Sequence, residues 1–269
     1  MKRVVIVTGG SDGIGAEIAR QLAARDGAAI ALVLAARNQG PLELVAGQCR
    51  ALGAETLTVA FDAGRHDDCR RLVAQAVERF GRIDVLVNNA GRSAHALFEE
   101  VDDLAWYEEL MRVNVWGSVW CTRAALPQLK ASRGAIVAVS SLAGLVGVPG
   151  RTAYCATKFA MSGFFEALRA EMKDHGVSVT TAYPGVVATR IRYRGFNARG
   201  EEAGASALKE ERAMPVEECA RLIVRAMERR EREVVMTTQG RLGRWLKLIA
   251  PGVVEKMALA AVKDDLRPQ

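Results

Sequence analysis

Tyr154 and Lys158, four positions apart, are the residues whose types and spacing suggest chemistry most directly. They lie in a stretch with helical spacing, so both project from one face about one turn apart. An unaided tyrosine has a pKa near ~10 and is a poor base at neutral pH. Lowering it to about 7 takes roughly 4 kcal/mol of differential stabilisation, which nearby positive charges in a low-dielectric pocket can supply. A tyrosine tuned this way works as a general acid or base on a carbonyl or hydroxyl oxygen. In isolation, the same spacing also describes an ordinary surface pair, so its meaning depends on its surroundings. Cys155 adjoins the tyrosine, but a helix neighbour points about 100° away, which favours packing. His66, His95 and His175 are scattered, and no metal site is expected. There is no G-x-S-x-G elbow and no histidine placed to activate a serine, which argues against hydrolase chemistry.

A second constellation lies near the N-terminus. Thr8-Gly9-Gly10-Ser11-Asp12-Gly13-Ile14-Gly15 follows the first apolar run and opens a helical stretch. Glycines there let backbone approach a pyrophosphate and let the helix pack close on the strand. The helix N-terminus adds free N–H groups and a favourable dipole. The spacing is G-x-x-x-G-x-G, and many glycine-rich turns only reverse the chain. Its place between the first strand and first helix of an alternating chain favours dinucleotide binding. The adenosine ribose is read at the end of the second strand, by an acidic residue for NAD or a nearby Arg for NADP. Here that strand ends Leu34-Ala35-Ala36-Arg37-Asn38. A guanidinium at Arg37 suits a bidentate contact with a 2′-phosphate, with Asn38 beside it and the Ser11 hydroxyl as a further donor. The cofactor expectation is NADP(H), with NAD(H) as the alternative. The plainer reading of Arg37 is a solvated residue opening the next helix.

These residues need a scaffold, and the rest of the chain describes one. Val4–Val7, Ala29–Ala36, Thr56–Phe61, Ile83–Asn88, Ala135–Ser140, Ser178–Tyr183 and Glu233–Thr237 are short apolar runs, as a sheet covered on both faces requires. Helical spacing marks Ile14–Arg25, Leu42–Leu52, Asp68–Phe80, Asp102–Leu129, Thr152–Lys173 and Val216–Arg229. The β-α-β-α succession predicts an α/β fold: one doubly wound Rossmann domain over residues 1–240, its parallel sheet of about seven strands with helices on both faces. Residues 190–214 are polar and charged and are expected to close over a substrate. Their Arg190, Arg192, Arg194 and Arg199 either contact an acidic group or are solvated, and solvation is the favoured reading. A helical tail, 241–269, pairs Trp245, Leu246, Leu248 and Ile249 with Arg241, Arg244 and Lys247. It is expected to pack on its own domain or a second subunit; the alternative is a membrane surface contacted through 241–262.

Composition agrees with a single large domain: 269 residues, 50% of them hydrophobic, and a net charge of +6. The basic excess is spread along the chain, which argues against a nucleic-acid partner and suits a ligand with several phosphates. Five cysteines without CxxC spacing argue for a reducing compartment. With no signal-peptide pattern and no membrane-span pattern, a soluble cytoplasmic protein is expected.

The pattern T-G-x-x-x-G-I-G resembles the short-chain dehydrogenase/reductase family, and further motifs follow in that family's order. They are Asn88-Asn89-Ala90-Gly91, Asn114, Ser140-Ser141, Tyr154-Cys155-Ala156-Thr157-Lys158, Pro184-Gly185 and Thr189. The resemblance covers roughly residues 3–240. It implies hydride transfer between a nicotinamide and a carbonyl or secondary alcohol of a small molecule. Tyr154 would be the general acid/base, and Ser141 would orient the substrate oxygen. Lys158 would also bond the nicotinamide ribose, and Asn114 would hold a water linking Lys158 to solvent; Ser140 is expected to bond locally. The resemblance further places Asp62 and Ala63 at the adenine and Asn89, Ala90 and Gly91 on the ribose side. Pro184, Gly185, Val187 and Thr189 would flank the nicotinamide. Ala36 stands where NAD-preferring relatives carry Asp. Asp12 stands where NADP-preferring relatives carry a basic residue, which counts against a phosphate there. The segment from Ser140 to Phe165 is similar to the hydroxysteroid-dehydrogenase-like branch and implies a bulky or apolar substrate. The family also implies a homodimer or homotetramer built on the helices holding Asn114 and Tyr154. A cofactor-sensing protein that kept the fold and lost the chemistry is the reading from another class; all four catalytic positions being intact speaks against it.

Overall fold

The computed structural model describes residues 1–204 and 213–262. Seven strands form one parallel sheet: β1 (Arg3–Thr8), β2 (Ile30–Ala36), β3 (Glu55–Ala60), β4 (Val85–Asn88), β5 (Ala135–Val139), β6 (Ser178–Tyr183) and β7 (Glu233–Val235). Their spatial order is β3-β2-β1-β4-β5-β6-β7. The expected doubly wound sheet is what forms. Alternation explains the apolar runs. Val5 and Val7 of β1 join the core on one face of the sheet, while Val4 and Ile6 join the core on the other. Every residue of β2 is buried, so none of its side chains has a solvated side to be polar on.

The first face is covered by α1 (Gly13–Asp26), α2 (Gln39–Ala51) and α7 (Val216–Glu228), through Ile18, Leu22, Leu42, Val45 and Ile223. The second is covered by α3 (His66–Phe80), α5 (Gly117–Ser132) and α6 (Thr152–Glu171), through Leu72, Leu129 and Phe165. The sheet order reverses between β1 and β4, and that switch point opens a crevice beyond the carboxyl ends of the strands.

One expected helix is not regular throughout. The stretch Asp102–Leu129 divides into α4 (Ala105–Met111), a π-helical turn at Arg112–Trp116, and α5. The insertion slips the hydrophobic phase by one residue, but α4, at seven residues, is too short to set a phase against which the slip would show. The turn contains Asn114, and π turns of this kind often mark functional positions.

The tail consists of α8 (Thr238–Ile249) and α9 (Pro251–Val262), so its helical part begins before residue 241. Its polarity is inverted. Arg241 donates to the Val235 carbonyl, Arg244 pairs with Glu233, and Lys247 donates to the Leu145 carbonyl, all toward the domain. Leu242, Trp245, Leu248 and Ile249 point outward and are exposed. Parts of the expected loop (205–212) and of the expected tail (263–269) lie outside the described residues. Among the described residues no helix is long and apolar enough to cross a membrane.

Candidate active site

The crevice is a cleft of about 840 Å³. It gathers every residue expected around a cofactor except Gly15, and every expected catalytic residue except Asn114. Those two lie behind its wall, where they shape it.

The glycine turn owes its form to close approach. Gly9 has φ +67°, and a Cβ there would stand 2.8 Å from Asn89 Nδ2. A Cβ on Gly15 would stand 2.4 Å from the Gly9 carbonyl oxygen. Both positions therefore exclude any side chain, which leaves a cradle of bare backbone at the start of α1. The amide of Asn89 is committed to holding it: Nδ2 donates to the carbonyls of Thr8 and Gly9 at 3.0 and 3.2 Å. The Thr8 hydroxyl accepts from the backbone N–H groups of Asn89 and Ala90, tying β4 to β1.

Asp12 is not a bare carboxylate facing a phosphate. Its Oδ1 accepts the Gly13 N–H at 2.8 Å as the cap of α1, and its Oδ2 pairs with Arg194 at 3.1 Å. Arg194 reaches across from the segment after β6, so at least one arginine expected to be solvated is engaged. Arg37 and Asn38 line the cleft at the end of β2 and are exposed. Asp62 turns its own loop, its Oδ1 accepting the Gly64 N–H, while Asp68 of α3 accepts the Asp62 N–H.

At the other end of the cleft, Tyr154 and Lys158 project from one face of α6, and both are buried. Burial pushes the Tyr154 phenol up, while Arg151 and the Ser141 hydroxyl pull it down. Burial brings Lys158 down to about 8. Its Nζ donates to the Val139 carbonyl at 3.0 Å and lies 5.7 Å from the centre of the Tyr154 ring. An ammonium so placed stays mostly charged at neutral pH. Ser141 caps the short turn after β5, its Oγ accepting the Ala143 N–H at 3.2 Å. Ser140 reaches further than expected, across to the carbonyl of Lys158 on α6.

Asn114 is fully buried, and the π turn aims its amide at the loop after β4. Its Oδ1 accepts the Arg92 N–H at 2.7 Å; its Nδ2 donates to the Arg92 carbonyl and to Thr157 Oγ1 at 2.9 and 3.0 Å. The side chain thus clamps that loop onto α6, and its main-chain carbonyl accepts from Ser118 Oγ. Gly91 fits the clamp, since a Cβ there would stand 3.1 Å from Asn114 Oδ1. Cys155 packs as expected, its sulfur against the Val148 backbone. All five cysteines are free and buried. No cluster of metal-binding side chains occurs among the described residues.

Comparison with known proteins agrees with this arrangement. The family model for "short chain dehydrogenase" matches residues 3–199. The chain belongs to the short-chain dehydrogenase family. It is 40% identical over 260 residues to 11-beta-hydroxysteroid dehydrogenase A of Sesamum indicum, covering 94% of this chain and 73% of that one. It is 32% identical over 267 residues to 11-beta-hydroxysteroid dehydrogenase-like 2 of Arabidopsis thaliana, covering 99% and 83%. Among solved structures, an alcohol dehydrogenase from the archaeon Thermococcus sibiricus, complexed with 5-hydroxy-NADP, aligns with a TM-score of 0.74 and 26% identity over 87% of this chain and 95% of that one. This short-chain dehydrogenase is therefore an oxidoreductase of hydroxysteroid-dehydrogenase-like sequence, in a family that uses NAD(P)(H) and small-molecule substrates. The bare glycine cradle at a helix N-terminus fits a pyrophosphate, and the cleft is long enough to run from Arg37 to Tyr154.

Sequence reasoning overlooked two features of this short-chain dehydrogenase's site. Arg92 lines the cleft, with its guanidinium 3.6 Å from the Phe196 ring centre and an ion pair to Glu109. Arg151 lines it beside Tyr154. The spacing of Arg151, three residues before the tyrosine, was the available signal.

Proposed function

We propose that the protein is an NADP(H)-dependent oxidoreductase that interconverts a carbonyl and a secondary alcohol on a bulky or apolar substrate. The observation that carries this reading is the single cleft that joins the glycine cradle and Arg37 to the buried Tyr154–Lys158 pair. The nicotinamide, when bound, supplies or takes up the hydride. Tyr154 Oη gives its proton to the carbonyl oxygen in reduction and receives it back in oxidation. Lys158 favours the phenolate electrostatically and would bond the ribose hydroxyls of the bound cofactor. Ser141 Oγ orients the substrate oxygen. The loop clamped by Asn114 keeps the nicotinamide side of the cleft in shape. Asn89, through the turn it holds, does the same for the phosphate side.

NADP(H) is favoured because the end of β2 offers Arg37 and no acidic residue, and because Arg194 matches the charge of Asp12. The Thermococcus sibiricus enzyme, complexed with an NADP derivative, supports the same choice. The relatives named hydroxysteroid dehydrogenases support a bulky alcohol, as do Leu142, Val148 and Ile191 at the Tyr154 end of the cleft. A homodimer or homotetramer belongs to the same reading. Light scattering checks it, and lipid flotation with and without residues 241–269 checks the outward apolar face of α8.

The test is a panel of neutral and carboxylated ketones, followed by absorbance with NADPH and NADH at equal concentration. NADPH oxidation with a bulky neutral ketone is the expected result, and faster turnover with NADH overturns the cofactor choice. Tyr154→Phe should abolish turnover and leave cofactor binding largely intact; retained activity overturns the assignment of Tyr154.

A further inference from the structure

Arg151 has no part in the chemistry just described, yet it stands closer to the tyrosine ring than Lys158 does. It stands immediately ahead of α6, and its guanidinium carbon lies 4.7 Å from the Tyr154 ring centre, against 5.7 Å for Lys158 Nζ. Its fork is held by the protein: Nε donates to the Ala94 carbonyl and Nη2 to the Ser93 hydroxyl. Ser93 and Ala94 are themselves buried, and Ala94 is bridged to Phe196. The guanidinium is therefore positioned by the loop after β4 and not only by the ring it faces.

We propose that Arg151 is a positioning residue for proton transfer, a fixed cation on the Tyr154 ring that shares with Lys158 the work of holding negative charge on Oη. The proposal rests on the reading of Tyr154 as proton carrier. A cation over an aromatic face is attracted to the neutral ring, and more strongly to a ring that carries a full negative charge. The two cations also differ in range. Burial has brought Lys158 to about 8, so it begins to discharge in mildly alkaline solution. A guanidinium stays charged throughout. Arg151 thus maintains a positive field at the phenolate under the alkaline conditions that favour alcohol oxidation. The direction of the Tyr154 titration agrees: burial raises it, and Arg151 is the strongest influence opposing that rise.

The other groups facing Tyr154 do not replace it. Cys155, on the same helix, raises the phenol; Ser141 and Arg192 lower it less than Arg151 does. The neighbouring elements bring apolar side chains, Trp106 and Leu110 from α4, Ala94 and Ala96, and Phe196. His95 lines the same cleft, and Glu109 lines it while paired with Arg92.

The experiment is an ultraviolet titration of tyrosinate in the cofactor-free enzyme, with the Tyr154→Phe protein subtracted to isolate one phenol among four. Arg151→Gln keeps polar reach toward Ala94 and Ser93 but removes the charge. It should raise the Tyr154 midpoint by about one pH unit, a tenfold smaller phenolate fraction at a given pH. Arg151→Lys, which keeps the charge, should restore most of the shift. A midpoint unchanged in Arg151→Gln overturns the proposal. If Arg151→Gln does not fold, Arg151→Met serves as the neutral variant. If neither neutral variant folds, Ser93→Ala, which releases one arm of the fork, decides: a rise smaller than that expected for Arg151→Gln supports the proposal, and no rise overturns it. Because the readout needs no substrate, the two failures are distinguishable: an unchanged midpoint in an active enzyme faults the role of Arg151 alone, and a shift without turnover leaves the Arg151–Tyr154 coupling but faults the functional reading.

Discussion

The buried ammonium of Lys158 makes a prediction about stability that is separate from turnover. Lys158 titrates ordinarily near 10.5, and burial brings it to about 8 in the folded chain. Between those two values the unfolded chain holds a proton that the folded chain has lost. Folding is therefore penalised at low pH, and the penalty disappears as pH rises through the window. The gap, at about 1.4 kcal/mol per unit, makes the full penalty roughly 3 kcal/mol below pH 8. Lys158→Met retains a long unbranched side chain and removes the ionisable group. Chemical denaturation of the cofactor-free wild type and variant from pH 7 to pH 10 gives the difference in unfolding free energy at each pH. Titrating groups that do not interact with Lys158 cancel in that difference. The wild type should gain roughly 2 to 3 kcal/mol on the variant over this range, or about 4 to 6 °C in Tm at roughly 2 °C per kcal/mol. The bond from Nζ to the Val139 carbonyl, lost in the variant, offsets the difference by a constant and leaves its slope alone. A difference that stays flat from pH 7 to pH 10 refutes the claim that Lys158 is held as a desolvated ammonium.

Three further outcomes are expected. Gly15→Ala drives a Cβ into the Gly9 carbonyl and the Asn89 amide, which are hydrogen-bonded to each other; it should cost about 1–3 kcal/mol in denaturation and weaken NADPH binding by fluorescence titration. Normal stability and affinity in that variant would show that the turn adapts. Arg37→Ala removes a charge-assisted contact of about 1.5–3 kcal/mol, so NADPH affinity should fall roughly 10- to 100-fold while NADH affinity holds; equal losses for both cofactors would move the phosphate site elsewhere. The five buried cysteines, with Cys49 near 11 and Cys219 near 12 through burial, should react with Ellman's reagent over hours in the native state and at once in denaturant. Rapid loss of activity under the reagent would mean that the cleft exposes Cys155.

The sheet was legible in the sequence because parallel strands buried on both faces must be continuously apolar, and β2 and β5 read that way without ambiguity. Which residues meet in the cleft was also largely legible, since the ordered motifs fall at strand ends on one side of the sheet. What escaped depends on contacts between distant segments. Nothing local to Asp12 indicates that Arg194 will pair with it, and nothing local to Asn89 indicates that its amide is spent on the glycine turn. Gly15 lies under the Gly9 carbonyl, where the close packing expected of the turn's glycines leaves no space for a side chain. The π turn at Asn114 escaped for a different reason. One extra residue slips the apolar stripe by a single position, and the seven residues of α4 are too few to fix the phase from which that slip would be measured.

That turn sets foldability against purpose. Deleting one residue between Arg112 and Trp116 would let α4 and α5 merge into one regular helix, with all its backbone bonds in standard register. The merged helix would be the easier one to form. But each residue of helix carries about 100° of rotation, so the deletion would turn one flank against the other and swing Asn114 off the Arg92 backbone and Thr157. A screen that rewards thermal endurance alone should therefore recover shortened chains that melt later and turn over nothing, while selection for turnover should keep the awkward extra residue in place.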